Sequence, residues 1–173
     1  MMPIDLHLSP IVSVVCRRTL FIGLMILAFA SSTAAQETVR ITLPSSLAFN
    51  VTNISNNVTA TPNPTTLRFQ QAVLLPNRAL RVSVRADTST FTPPNGTTRI
   101  PAAYVSWTTS SPTRATGANG TLSSTAYTMV LQSQTNANNG NIDVTWKLAP
   151  LPAGVHAGNH TLTIRWKLES VVP

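Results

Sequence analysis

Two segments near the C-terminus repeat one residue pattern, and this repeat constrains the fold more than any other feature of the chain. Residues 141–148 read NIDVTWKL, and residues 161–168, twenty positions later, read TLTIRWKL. Apolar and polar residues alternate in both segments. Because successive side chains of a β-strand point to opposite faces, the alternation gathers the apolar residues on one face. Both segments are therefore predicted to be strands that bury a face carrying one tryptophan.

The same period of two recurs along residues 36–173, where no window holds apolar residues at helical spacing for three turns. Prolines and Asn-Gly pairs fall mostly between the alternating segments, as expected for turns. Eight strands are predicted, at Thr38–Leu43, Leu47–Thr52, Thr66–Leu74, Arg78–Ala86, Ala102–Thr109, Thr125–Ser133, Asn141–Leu148 and Asn159–Val171. Their number and spacing predict one all-β domain, an antiparallel β-sandwich.

The alternation also predicts which side chains face the core. They are Val39, Ile41, Leu43, Leu80, Val82, Val84, Val105, Trp107, Tyr127, Met129, Leu131, Ile142, Val144, Trp146, Leu148, Leu162, Ile164, Trp166 and Leu168. Asn139 and Gly140 are expected to close a hairpin between the sixth and seventh strands. Residues 149–158 are expected to form either a wide hairpin or a crossing between sheets.

Residues 1–35 have the layout of a secretory signal. The pair Arg17 and Arg18 precedes an apolar run at residues 19–30, and small residues follow up to Ala35, after which cleavage is expected. The run is about twelve residues long, whereas a membrane-spanning helix needs roughly twenty. Removal of this segment is therefore favoured over its retention as an anchor, and the domain at 36–173 is predicted to be secreted or extracytoplasmic.

Charge and cysteine content limit the partners and the stabilising chemistry of residues 36–173. The single cysteine, Cys16, lies in the leader, so the domain is expected to fold without a disulfide. Ten basic and four acidic residues give residues 36–173 a net charge of +6. This charge is explained either by solubility or by an anionic partner. The predicted contacts to such a partner lie on outward strand positions: Arg81, Arg85, Lys147, Arg165 and Lys167.

Residue types that carry catalysis are scarce. His156 and His160 could be imagined as metal ligands together with Asp143, but zinc needs three or four convergent ligands, and both histidines are expected to be solvated loop residues. No serine stands in a Gly-x-Ser-x-Gly elbow. We therefore expect no enzymatic activity, no metal and no cofactor. Nucleic-acid binding is not expected either, because the few aromatic residues lie on predicted core faces.

The three tryptophans have two interpretations. Trp107, Trp146 and Trp166 are each in phase with aliphatic neighbours, which favours burial in the core. The alternative is that one ring is exposed and stacks on a sugar, as in carbohydrate-binding modules.

The paired Trp-Lys-Leu motifs, the second close to residue 173, resemble the Trp-x-Leu (WxL) surface domain of bacteria. The positions that match its two motifs are Trp146, Leu148, Trp166 and Leu168. In that family the domain is β-rich, secreted and held noncovalently on the cell wall. The resemblance implies attachment of this chain to a wall polymer.

The Ala157-Gly158 turn followed by a long alternating strand is also similar to secreted fimbrial and spore-coat U domains. Those domains are immunoglobulin-like sandwiches that assemble by adding a strand from one subunit to the next. Residues 38–43 could be such a donated strand, or simply the first strand of their own sheet.

These expectations combine into one hypothesis with two alternatives. The chain is predicted to be an exported, non-enzymatic, immunoglobulin-like β-sandwich that attaches to the cell wall or envelope. The first alternative is a fimbrial or coat-type subunit that assembles with other surface proteins or with copies of itself. The second is a carbohydrate-binding module.

Overall fold

The computed structural model describes residues 2–7, 12–13, 36–94 and 98–173. For the first two ranges only backbone pairing is considered below. Most of the predicted leader, including its apolar run and the expected cleavage site after Ala35, lies outside the described residues. Signal cleavage therefore stays a prediction.

The regular secondary structure of the described residues is β-strand, apart from one 3₁₀ turn. The strands are β1 (Met2–His7), β2 (Val12–Ser13), β3 (Thr38–Thr42), β4 (Ser46–Val51), β5 (Val58–Thr59), β6 (Thr65–Val73), β7 (Ala79–Ala86), β8 (Val105–Thr113), β9 (Ala115–Gly117), β10 (Gly120–Thr121), β11 (Thr128–Ser133), β12 (Gly140–Leu148) and β13 (Ile164–Val171). A single 3₁₀ turn at Ala102–Tyr104 precedes β8. Each of the eight predicted strands has a counterpart, and the prediction of an all-β fold is confirmed.

The strands form two large sheets and one small one. The first large sheet has the order β10-β8-β12-β6-β3, with β5 also pairing with β12, and the second has the order β2-β13-β7-β11-β9. In the small sheet β1 pairs with β4. The β2–β13 pairing is parallel, and the other pairings between described strands are antiparallel. The apolar faces of both large sheets contribute to one core, which gives a sandwich-like arrangement.

The two strands of the sequence repeat lie in different large sheets. Trp146 on β12 and Trp166 on β13 meet in the core with ring centroids 6.3 Å apart, edge to face. Trp107, directly opposite Trp146 in the β8–β12 register, lies 5.4 Å from it. Such tilted and edge-on contacts are favourable for aromatic rings. The repeat thus supplies one central indole to each sheet, and residues 149–158 cross between the sheets.

The predicted hairpin at Asn139 and Gly140 is wrong. β11 pairs with β7 and β9, whereas β12 pairs with β5, β6 and β8, so the two strands do not pair with each other. Gly140 instead begins β12 opposite Phe69 of β6, where an added Cβ would lie 2.6 Å from that ring. The glycine is required by this close approach rather than by a two-residue turn.

The inward assignment of Tyr127 and Met129 is also wrong. The β7–β11 register shifts between Met129 and Leu131, which marks an irregularity of the β-bulge kind. Such an insertion reverses the phase of alternation on one strand. Val130 and Leu131 are both buried, while Met129 is only partly buried and Tyr127 is 37% exposed. The tyrosine therefore lies on the outer side of its sheet.

Residues 38–43 serve as the first strand of their own sheet. β3 pairs with β6 along the edge of the first large sheet. The preceding residue, Glu37, accepts a hydrogen bond from the backbone N–H of Leu75 at 2.8 Å and another from the Ser170 hydroxyl at 2.7 Å. The start of the domain is thus fastened to its final strand.

Candidate functional surfaces

The four Trp-x-Leu positions belong mainly to the core. Trp146 and Trp166 are each 1% exposed and Leu148 is fully buried, while Leu168 is partly buried against the same cluster. The Trp146 indole donates to the Thr65 hydroxyl at 3.0 Å. Trp107 is also 1% exposed and donates to the Ala118 carbonyl at 2.8 Å. All three rings are therefore unavailable as a surface for stacking a sugar.

Four of the five predicted basic contacts lie on one surface. Arg81 and Arg85 on β7, and Arg165 and Lys167 on β13, alternate with core residues and point away from the core. Arg85 and Arg165 are directly opposite each other in the strand register. Lys147 lies on β12, in the other large sheet, and does not join them. We call the four-residue surface the basic face.

Two cations of the basic face have carboxylate partners. The Arg165 guanidinium donates to both carboxylate oxygens of Asp87, at 2.5 and 3.1 Å. This hydrogen bonding, with the positive charges of Arg165 and Arg85, lowers the pKa of Asp87. The same hydrogen bonding, with the negative charge of Asp87, raises the pKa of Arg165. Lys167 approaches Glu169 at 2.6 Å.

The other two cations lack a carboxylate partner among the described residues. Arg81 donates to the neutral side-chain amide of Gln132, at 3.0 and 3.1 Å. Arg85 lies over the Tyr127 ring, 5.1 Å from its centroid, and its buried Nε has no hydrogen-bond partner in the described structure. With Asp87 and Glu169 beside four cations, and Glu169 opposite Arg81 in the strand register, the basic face carries excess positive charge at Arg85.

Tyr127 was not identified as a surface residue from the sequence. Two cations lie over its ring, since Lys167 Nζ is also 5.6 Å from the ring centroid. Strand alternation places Tyr127 in the core, and the bulge that turns it outward leaves no local sequence signal. Its approach to Lys167 and Arg85 depends on strands from distant parts of the chain.

The two histidines differ, and the prediction that both are solvated is wrong for His160. His156 is exposed, but His160 is completely buried, with its Nε2 3.0 Å from the His156 carbonyl oxygen and its Nδ1 unpaired in the described structure. Within residues 36–94 and 98–173, no cluster of three or more His, Cys, Asp or Glu side chains is arranged to hold a metal ion.

An open depression of about 450 Å³ adjoins the strand that carries Arg85. Its hydroxyl-bearing lining residues are Ser89, Thr121, Ser123 and Ser124. The backbone N–H of Ala86 donates to the Ser123 carbonyl at 2.9 Å, which fixes this depression beside the end of β7. A second shallow depression, about 230 Å³, lies at the β3 edge beside Arg40.

Two strand edges of the domain are covered by residues of the predicted leader. β1 pairs with β4 over its whole length, from Met2 opposite Val51 to His7 opposite Ser46. β2 pairs with β13 at Trp166 and Lys167. On its other side β13 pairs with β7 over eight positions. Residues 12–13 thus cover the outer edge of β13 at Trp166 and Lys167, and residues 2–7 cover one edge of β4.

None of the helical structure in the described part of the chain is long and apolar enough to cross a membrane. Comparison of the chain with family models, curated proteins and solved structures finds no match. Functional inference therefore depends on the geometry of these surfaces.

Proposed function

We propose that the protein is an exported, non-enzymatic structural subunit of a bacterial surface assembly, completed by a β-strand from another polypeptide. The observation that carries this proposal is the pairing of β13. Its outer edge is covered, among the described residues, by Val12 and Ser13 of the predicted leader. Removal of residues 1–35 would expose that edge.

The strand order supports an immunoglobulin-type arrangement. Such sandwiches combine a sheet of order A-B-E-D with a sheet of order C-F-G. The run β3-β6-β12-β8 corresponds to A-B-E-D, and β7-β13 corresponds to C-F. The place next to β13 is then that of strand G, and β2 occupies it. In the exported protein this place would be open to a strand from a partner.

An uncovered β13 would present unpaired backbone groups beside the core. Exposed edges of this kind bind extended segments readily, because each added residue forms backbone hydrogen bonds. The indole N–H of Trp166, at the register position opposite Val12, is buried and unpaired in the described structure. Removal of residues 1–35 would also take away β1 and so uncover the edge of β4. A single inserted segment could then pair along both the β13 edge and the β4 edge.

The donated segment is expected to come from outside residues 38–43. Those residues already pair with β6 in the same chain. Donation of β3 to a neighbour would expose the edge of β6. An extended segment of another subunit or of an assembly partner fits the proposal without this loss.

The test uses residues 36–173, which are the predicted mature form, together with a synthetic peptide of residues 2–13. We expect the peptide to raise the thermal midpoint in a concentration-dependent way, because a peptide present at a hundred times its Kd adds about 2.7 kcal/mol to the free energy of unfolding. A peptide with the same composition in scrambled order is the control. The proposal would be contradicted if neither peptide changed the thermal midpoint and the exported protein stayed monomeric.

Attachment to an anionic wall polymer is the second candidate, favoured by the clustering of four cations on the basic face. Retention on purified cell wall should then fall as salt is raised, since screening weakens exposed charge interactions. Absence of retention at low salt would remove this candidate. It would leave the strand-addition proposal unaffected.

A further inference from the structure

We propose that the Arg85–Tyr127–Lys167 cluster binds the oxyanion of an acidic polysaccharide. The inference gives the wall-attachment candidate a specific site and ligand chemistry, and it does not depend on strand addition. The ligand class is a chain of hydroxyl-rich rings that bear carboxylate or phosphate groups.

The argument for an anion begins with Arg85. Its neighbours are Arg165 directly across the β7–β13 pair, Lys167 two positions further along β13, and Tyr127 beneath its guanidinium. Asp87 is engaged by both nitrogens of the Arg165 fork, and Glu169 is engaged by Lys167. Positive charge therefore remains in excess around Arg85, which has no carboxylate partner among the described residues. A guanidinium in this state favours a carboxylate or phosphate group.

The argument for a carbohydrate comes from the surroundings of the cluster. Tyr127 is 37% exposed, so it offers apolar ring surface at the same place as the charges. Residues 123–125, just before it, carry three hydroxyl groups, of which those of Ser123 and Thr125 are hydrogen-bonded to each other at 3.1 Å, and Ser123 and Ser124 line the 450 Å³ depression. Aromatic surface, hydroxyl groups and cations together suit a sugar ring with an acidic substituent better than a bare anion.

The test measures binding of the chain, as delivered by an exporting bacterial host, to polygalacturonate, to a phosphomannan and to neutral dextran. We expect binding to at least one acidic glycan and none to dextran. Arg85→Gln and Lys167→Gln should each weaken this binding about tenfold, the effect of losing one charge-assisted hydrogen bond. Lys147→Gln is the matched control, because it removes the same charge from the opposite sheet. It should weaken binding less than about twofold.

Several outcomes would overturn the inference. If Lys147→Gln weakens binding as much as Lys167→Gln, only net charge matters and there is no site. If polyglutamate binds as tightly as the acidic glycans, the sugar ring is not recognised. Binding to neither acidic glycan also overturns it. Circular dichroism checks that each variant is folded. If Arg85→Gln unfolds, the inference is tested by whether Lys167→Gln weakens glycan binding more than Lys147→Gln does.

Discussion

The hydroxyl of Ser170, on the final strand, donates to the carboxylate of Glu37 at 2.7 Å, across 133 positions of the chain. The same Oε1 atom accepts from the backbone N–H of Leu75. Glu37 is partly buried, so these bonds are formed away from bulk water. One carboxylate thus ties the start of the predicted mature domain to the β6–β7 loop and to β13.

Replacing Glu37 is expected to loosen this junction. Glu37→Ala should lower the free energy of unfolding by about 1–3 kcal/mol, because a charged acceptor is lost and a backbone donor is left unpaired. Glu169→Ala is the control, since it removes an equal charge from a partly exposed pair with Lys167 and should cost about 0–1 kcal/mol. Urea titration of both variants measures the difference. Equal losses would show that the Glu37 contacts are not specific.

The Thr65 hydroxyl is expected to be necessary for the tryptophan core. It accepts from the Trp146 indole at 3.0 Å and donates to the Val144 carbonyl at 3.2 Å, inside the protein. Thr65→Val preserves the shape but leaves the indole N–H unpaired, and should cost about 1–3 kcal/mol. Thr108→Val, at an exposed position of β8, should change stability by less than about 0.5 kcal/mol. Thermal or urea unfolding compares them, and a neutral Thr65→Val would refute the role of this bond.

The two histidines should respond differently to truncation. His160→Ala would open a cavity where the buried imidazole lies and should cost at least about 2 kcal/mol. His156→Ala should be nearly neutral, because His156 is exposed and contributes only its backbone carbonyl, which alanine keeps. Denaturant unfolding of the two variants gives the comparison. The placement of His160 would be wrong if both changes were equally mild.

The basic face should be sensitive to acid through Asp87. Its pKa is lowered below the ordinary value of 3.8, chiefly by hydrogen bonding to Arg165. A carboxyl group with a lowered pKa in the folded state contributes stability that is complete above the unfolded value and is lost as pH falls through the folded value. As pH falls through this lowered pKa of Asp87, the opposed Arg85 and Arg165 therefore lose their counter-charge.

The Asp87 contribution can be isolated with Asp87→Asn, which cannot titrate. Stability of this variant should fall less steeply than that of the parent protein as pH decreases below 3.8. Carboxyl NMR should show a midpoint for Asp87 below that value. A midpoint at or above 3.8, or parallel stability curves, would contradict the ion pair.

The location of the strands could be predicted because the signal is local. Alternation along β7, β12 and β13 reports which residues face a core, whatever strand lies alongside. The burial of Trp107, Trp146 and Trp166 followed from the same pattern. The all-β class and the inward position of most aliphatic residues were therefore available from the sequence.

The candidate site was only partly predictable. The alternation identifies four outward cations of the basic face: Arg81, Arg85, Arg165 and Lys167. It cannot separate them from Lys147, because knowing that a residue faces outward on its strand does not show to which sheet the strand belongs. Tyr127 was assigned to the core, since a one-residue irregularity at Met129–Leu131 has no local signature and reverses every side chain beyond it.

The sequence by itself determined where the strands run, which of their side chains are apolar, and how much positive charge the domain carries. Only the tertiary structure decided that the two repeated strands join different sheets, that β11 and β12 do not pair, that His160 is enclosed, and that Arg85 meets Tyr127. The physical reason is that side-chain alternation is encoded within a few residues. Strand pairing, by contrast, is settled by backbone hydrogen bonds and packing between segments far apart in the chain.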